Sequence, residues 1–310
     1  MSCANSGGVN ESMLLIGFED VKMPPKNLDD KPKYSAREQV DFMKEFRRSV
    51  ELKLARSHQQ IHALAESIAA WVENNPLGAD LRWSEGKMGY QLVQREYVNP
   101  PPLDDWGLAL GECVHNIRSA LDNLAYALAR LASDPPLNPG RISFPIFQDA
   151  QQFKTSGVRS INQLPKKAAQ LIEMLQPFQR DGSAQFGRPE QDPLVHLQEL
   201  NNFDKHRIPS VIVFVPQEVK VKFSVQFEVE ADALKNVPPD VTCWTGPLAA
   251  GVILLEQRTN APIISVDWEF ETKANIGISA SDGTAPAIEI LVWLHNHAGL
   301  VASQFDELFV

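Results

Sequence analysis

The chain has 310 residues, 44% of them apolar, which is enough to bury a full core as one large domain or two closely joined halves. Its net charge of −10 excludes a general electrostatic attraction to nucleic acid or anionic lipid, so an RNA partner would need locally concentrated basic residues. Cys3, Cys113 and Cys243 are widely spaced with no C-x-x-C pair, which argues for a reducing compartment and against structural zinc.

Residues 1–10 lack a basic flank followed by an apolar run, and no later run approaches the ~20 apolar residues of a membrane span. A cytoplasmic location with no membrane partner is therefore expected. Residues 1–34 read as a mobile N-terminal arm: a short apolar stretch at 13–18, then polar sequence with Pro and Lys. Ser35-Ala-Arg-Glu38 has capping-box form, and Val40, Met43, Phe46, Val50, Leu54, Ile61, Leu64, Ile68 and Trp71 recur at helical spacing. This predicts a long helix stopped at Asn75-Pro76. Residues 90–98 read as an isolated strand or hairpin arm, and Asn99-Pro-Pro-Pro-Leu103 as a rigid connector.

A second helix is predicted over about 106–132, where Leu110, Val114, Ile117, Leu121, Leu124, Leu128 and Leu131 form an apolar seam. Residues 143–147, Ser-Phe-Pro-Ile-Phe, form a short extended piece, and 168–178 and 193–203 two further helices. From there the period changes to two. Val219, Val221, Phe223, Val225, Phe227 and Val229 alternate with polar residues, as do Ile264, Val266, Trp268, Phe270, Thr272, Ala274, Ile276 and Ile278; 252–257 adds another candidate strand. One-sided alternation fits an antiparallel sheet with a solvent face. Asp282-Gly283 reads as a turn, with Thr284 and Pro286 opening a last helix to about 309. The expected fold is α+β: a helical region at 35–207, an antiparallel sheet at 208–283, and a helix at 284–310 returning to the helical side.

The sequence has no phosphate-binding G-x-x-x-x-G-K-[ST] loop, no G-x-G-x-x-G, no G-x-S-x-G and no H-E-x-x-H. Two constellations remain. On the second helix, His115, Arg118 and Asp122 make a polar stripe beside the seam, which could bind an anion or simply hold an Arg118–Asp122 pair at i,i+4. At the junction of helix and sheet, Lys205, His206 and Arg207 could form an anion site with a titratable imidazole, or just place cations at a helix C-terminus. His295 and His297, two apart, read as core-edge residues, and Trp244, Trp268 and Trp293 as packing. His58 and His62 at i,i+4 could hold a metal but show no third ligand, so a solvated helix face is expected there, with no metal and no cofactor.

The run His115-Asn-Ile-Arg-Ser-Ala-Leu-Asp-Asn-Leu-Ala-Tyr126, together with Pro100-Pro-Pro-Leu103, Ser143-Phe-Pro-Ile-Phe147, Gln176-Pro-Phe178 and Asn202-Phe-Asp-Lys-His-Arg207, resembles a family of uncharacterised bacterial proteins whose helix reads H-N-L-R-S-A-L-D-H-L. The same segment is similar to the R-x4-H motif of the HEPN superfamily, helical domains many of which are metal-independent endoribonucleases of toxin and phage-defence systems. The resemblance implies a homodimer in which Arg118 meets the RNA phosphodiester; Asp122 and Asn123 join it in the candidate catalytic set, and the anion site at Lys205 and Arg207 would supply further phosphate contacts. Here Asn123 stands where the family has His. An amide cannot transfer a proton as imidazole does, so cleavage would draw on His206 or His115, and impaired catalysis is part of the expectation. The alternative is a non-enzymatic dimerisation or partner-binding module in which these polar motifs are purely structural.

Overall fold

In the computed structural model, residues 2–4, 36–183, 187–206, 212–244, 246–280 and 283–309 are described, a few stretches inside helices and strands by their backbone alone. The fold is α+β, with eight strands and eight helices among these residues. In chain order they are β1 (Ser2–Ala4), α1 (Ala36–Asn74), β2 (Ala79–Trp83), β3 (Gly89–Gln94), α2 (Leu103–Arg130), α3 (Ala150–Gln152), α4 (Val158–Ile161), α5 (Lys166–Met174), α6 (Pro193–His206), β4 (Ile212–Phe227), α7 (Glu230–Lys235), β5 (Asp240–Cys243), β6 (Ile253–Arg258), β7 (Ile263–Ala280), β8 (Gly283–Pro286) and α8 (Ala287–Ser303). The capping residue Ser35, most of the predicted arm and the Asp282 turn position lie outside the described residues.

The chain divides into two compact units. One takes residues 63–108, the described part of 210–288, and β1. Its strands form two antiparallel sheets, ordered β1-β4-β7-β8 and β2-β3-β6-β5. β2 and β3 thus belong to a sheet although they lie within the region expected to be helical, and the predicted lone strand is an inner strand between β2 and β6. Tyr90 on β3 is fully buried, hydrogen-bonds Gln257 across the sheet at 2.9 Å, and meets Phe223 of β4 edge-on at 6.5 Å. Gly89 is obligatory beside it, because a Cβ there would run into the Gln257 carbonyl. Trp71, Tyr97, Trp106 and Phe214 form a second aromatic cluster, with the Trp106 indole donating to Ser67 at 3.0 Å.

β4 and β7 run in register from Ile212↔Ile278 to Phe227↔Ile263, including the pair Phe223↔Trp268. The alternation read from the sequence survives at 223–227, where odd positions are half-buried and even ones exposed. It fails at Ile264, which is exposed, while Ile263 is buried. A bulge opposite Gln226 and Phe227 shifts the phase of β7 by one residue, and a one-residue slip moves a side chain to the other face. Residues 283–286 also depart from expectation. They extend the sheet as β8 along β7 instead of opening the last helix, which begins at Ala287 and ends at Ser303. Cys243 is disulfide-bonded, so the cysteine spacing no longer argues for a reducing compartment; Cys113 is free and buried. Among the described residues no helix is long and apolar enough to cross a membrane.

The second unit holds residues 36–62, 109–206 as far as described, and 289–309. Its centre is α2, whose Leu110, Val114, Ile117, Leu121, Leu124 and Leu128 are all buried, as the seam predicted. Each such side chain contributes roughly 1.5–3 kcal/mol of apolar burial. Cys113, Ala120, Ala125 and Ala129 are also buried, so the small residues between the seam positions let neighbouring chain approach closely. α8 contributes Leu291, Leu294, Ala298 and Val301 to buried positions in the same unit. The sequence reading missed the helical stretch between Ala150 and Ile161. Asp149 caps it, accepting from the Gln152 amide at 2.7 Å, and a π-helical turn at Phe153–Gly157 carries Gly157, whose missing Cβ leaves room for the Phe147 and Phe153 rings.

Candidate functional site

The polar stripe on α2 is a clamp on one peptide unit of the neighbouring segment. Arg118 Nη2 donates to Asp122 Oδ1 at 2.9 Å and to the Phe144 carbonyl at 2.6 Å, while Asp122 Oδ1 accepts the Phe144 amide at 2.9 Å. Both main-chain groups of Phe144 are therefore satisfied by side chains one helical turn apart. The extended stretch 143–147 has no strand partner among the described residues, and its ring at Phe144 is fully buried. Gln176, just past α5, completes the grip. Its Nε2 donates to the Pro145 carbonyl at 2.8 Å and to Ile172 at 3.1 Å, and its Oε1 accepts the Phe147 amide at 3.0 Å. Three of the sequence motifs, Arg118 with Asp122, Ser143-Phe-Pro-Ile-Phe147 and Gln176, are thus one hydrogen-bonded node.

This environment sets the electrostatics. The Arg118 side chain is 11% exposed and that of Asp122 37%. Burial pulls the Arg118 pKa down, and the Asp122 charge pulls it back up; burial is the larger effect. Nη1 of Arg118 is buried and finds no partner among the described residues. Asn123 turns away from this clamp, donating to Ser49 Oγ of α1 at 2.9 Å. It belongs to a polar seam between α1 and α2 in which Lys53 donates to Asn116 at 3.0 Å, Asn116 to Gln60 at 2.8 Å, and Gln60 to Glu112 at 2.7 Å. His115 is exposed, with Nε2 at 3.4 Å from Ser119 Oγ. The backbone of α6 ends at His206, but the side chains of Lys205 and His206, and the whole of Arg207, lie outside the described residues.

Two further polar groups in the helical unit were not foreseen as such. Asp192, with a side chain 0% exposed, pairs with Arg180 at 2.7 Å and caps α6 by accepting the Leu194 amide at 2.8 Å. His297 of α8 lies within electrostatic reach of both, and burial lowers its pKa, with Asp192 opposing and Arg180 adding to the shift. Near the other stretch of α8, Ser57 bonds His295 Nδ1 at 2.9 Å, and the His58 and His295 rings lie 5.7 Å apart. The sequence showed these histidines but not their juxtaposition, because α1 and α8 are separated by most of the chain. The Cys113 thiol is pushed up to about 12, chiefly by burial and then by Glu112, which removes it as a nucleophile. In the other unit a recess of about 320 Å³ opens between the β2–β3 turn and β6. Its Glu256 is already engaged by Gln91 and Arg258.

Among the described residues no three His, Cys, Asp or Glu side chains are grouped to hold a metal ion. The molecule is an α+β protein in which the polar node of Arg118, Asp122 and Gln176 is spent on its own backbone. Comparison with known families, with curated proteins and with solved structures finds no match to this chain.

Proposed function

We propose that the chain is a non-enzymatic binding module in which the residues of the Arg118 motif hold the helical unit together. What supports this is the clamp itself: Arg118 Nη2 spends both of its protons on Asp122 and Phe144, in a side chain only 11% exposed. A guanidinium that recognises phosphate does so through an open fork of N–H groups. The surface offered to a partner is the exposed part of α1 and α2, which carries Leu52, His115 and Tyr126. A second copy of the chain is the occupant to test first, by sedimentation at micromolar concentration. A strictly monomeric protein would remove that occupant. Incubation with a mixed single-stranded RNA pool should leave the RNA intact, for the native chain and for Asn123→His alike. Cleavage by either would overturn the reading.

A second reading keeps the HEPN-like resemblance: RNA binding, or metal-independent RNA processing in bacterial stress or phage defence, with impaired catalysis. It draws on Nη1 of Arg118, which is buried but has no partner among the described residues, and on exposed His115 one turn before it. It requires RNA affinity that falls with salt and is lost in Arg118→Met and His115→Ala. Unchanged affinity in both variants, or none in the native chain, would dismiss it.

A further inference from the structure

We propose that His58 and His295 form a two-imidazole site for a divalent transition-metal ion of the zinc, nickel or copper(II) class, tying α1 to α8. The sequence placed His58 on a helix face with no third ligand in view; the fold brings an imidazole from α8 to it, with ring centroids 5.7 Å apart and planes tilted by 53°. With metal–nitrogen bonds of about 2.1 Å, two imidazoles on one tetrahedral ion have centroids roughly 5 Å apart. The observed spacing is close to that. His58 is exposed and makes no hydrogen bond among the described residues, so a small rotation of its ring closes the gap.

The tautomer of His295 is what makes this more than proximity. Ser57 is fully buried, and its hydroxyl lies 2.9 Å from the Leu54 carbonyl as well as 2.9 Å from His295 Nδ1. The hydroxyl has one proton. Both contacts are hydrogen bonds only when that proton goes to Leu54 and His295 donates Nδ1–H to Ser57 Oγ. Nε2 of His295 is then the bare nitrogen, held in place by a partner on its other ring atom, which is the arrangement that orients metal-ligating histidines. Burial, and after it the neighbouring His58, lowers the His295 pKa, which favours the neutral ring. Imidazole nitrogens select borderline ions over magnesium or calcium, which take oxygen ligands. His62, one turn on from His58, is engaged in an interaction of its own and is not needed as a ligand.

The test is calorimetric titration of the full chain with Zn2+ at pH 7.5, free of any histidine tag, alongside thermal melts with Zn2+ and with Mg2+. The expected result is one zinc ion per chain and a melting midpoint raised by roughly 2 °C or more by zinc and unmoved by magnesium. His58→Ala, at an exposed position that leaves the fold intact, and His295→Gln should each abolish both effects. No saturable zinc binding, or binding that persists in His58→Ala, overturns the proposal.

Discussion

If the Arg118 motif serves the fold, removing its charge must cost stability, and the structure fixes the order of the costs. In Arg118→Met the aliphatic stem remains and the guanidinium goes. The Phe144 carbonyl, at a residue with no exposed surface, loses a charge-assisted bond of 2.6 Å and is stranded, at about 1–3 kcal/mol. The lost pairing with Asp122 adds less than about 1 kcal/mol, because that carboxylate is 37% exposed and can turn to water. The expected total is about 1–4 kcal/mol. Asp122→Ala strands the Phe144 amide and leaves a guanidinium that is only 11% exposed without its counter-ion, so about 3–5 kcal/mol is expected. Asp122→Asn keeps an acceptor for the amide and loses only the charge, at about 1 kcal/mol. Urea unfolding followed by circular dichroism measures all three, with the midpoint moving and the slope unchanged. An Arg118→Met protein within about 0.5 kcal/mol of the native one would refute the clamp as a structural device and return Arg118 to the surface chemistry of the RNA reading.

Leu121→Ala, in a side chain 1% exposed at the middle of α2, should cost about 2–5 kcal/mol as a cavity in the same unfolding assay; an unchanged midpoint would take α2 out of the core. The pH dependence should carry the signature of His297. Its folded pKa is lowered from the ordinary 6.5, mainly by burial, so the unfolded chain takes up the proton first. Stability should therefore be level above about pH 6.5, fall as pH drops towards the folded pKa, and flatten below it. Asp192 and Arg180 are the charges facing this ring, and His297→Gln should flatten the slope while leaving their pairing in place. An identical slope in that variant, read from melts between pH 5 and 8 with a chelator present, would show that other groups set it.

The long helices were legible because their determinants are local and periodic, whereas the short ones between Ala150 and Ile161 and at Glu230–Lys235 carry no such period. The α2 seam names its own buried face, and Asn75-Pro76 marks where α1 stops. The sheets were harder, and for a specific reason. β2 and β5 are short, at five and four residues, and polar positions in both leave no alternation long enough to read. The Ile263/Ile264 inversion depends on a bulge that only the pairing with β4 defines, and the misread 283–286 stretch becomes a strand only because β7 runs alongside it. Such features are written in partners distant along the chain.

The same distinction governs the candidate site. Arg118 and Asp122 at i,i+4 give an identical sequence pattern whether they face an open groove or a buried peptide unit. The deciding residue is Phe144, 22 positions past Asp122, and what it contributes is main chain, which carries no side-chain signature. Gln176 is a sharper instance: a single glutamine in a short Gln-Pro-Phe run gives no hint that it closes three backbone hydrogen bonds. A hint was nevertheless present in the co-occurrence of the motifs. An extended Ser-Phe-Pro-Ile-Phe segment with a proline at its centre cannot satisfy its amides and carbonyls within a helix, and with no strand neighbour among the described residues it must find polar side chains elsewhere. A charged pair on the apolar helix before it and a glutamine at the end of the helix after it are the side chains that can supply them. The demand for donors and acceptors in the extended segment is met by those residues, which is why the three motifs share one hydrogen-bonded node.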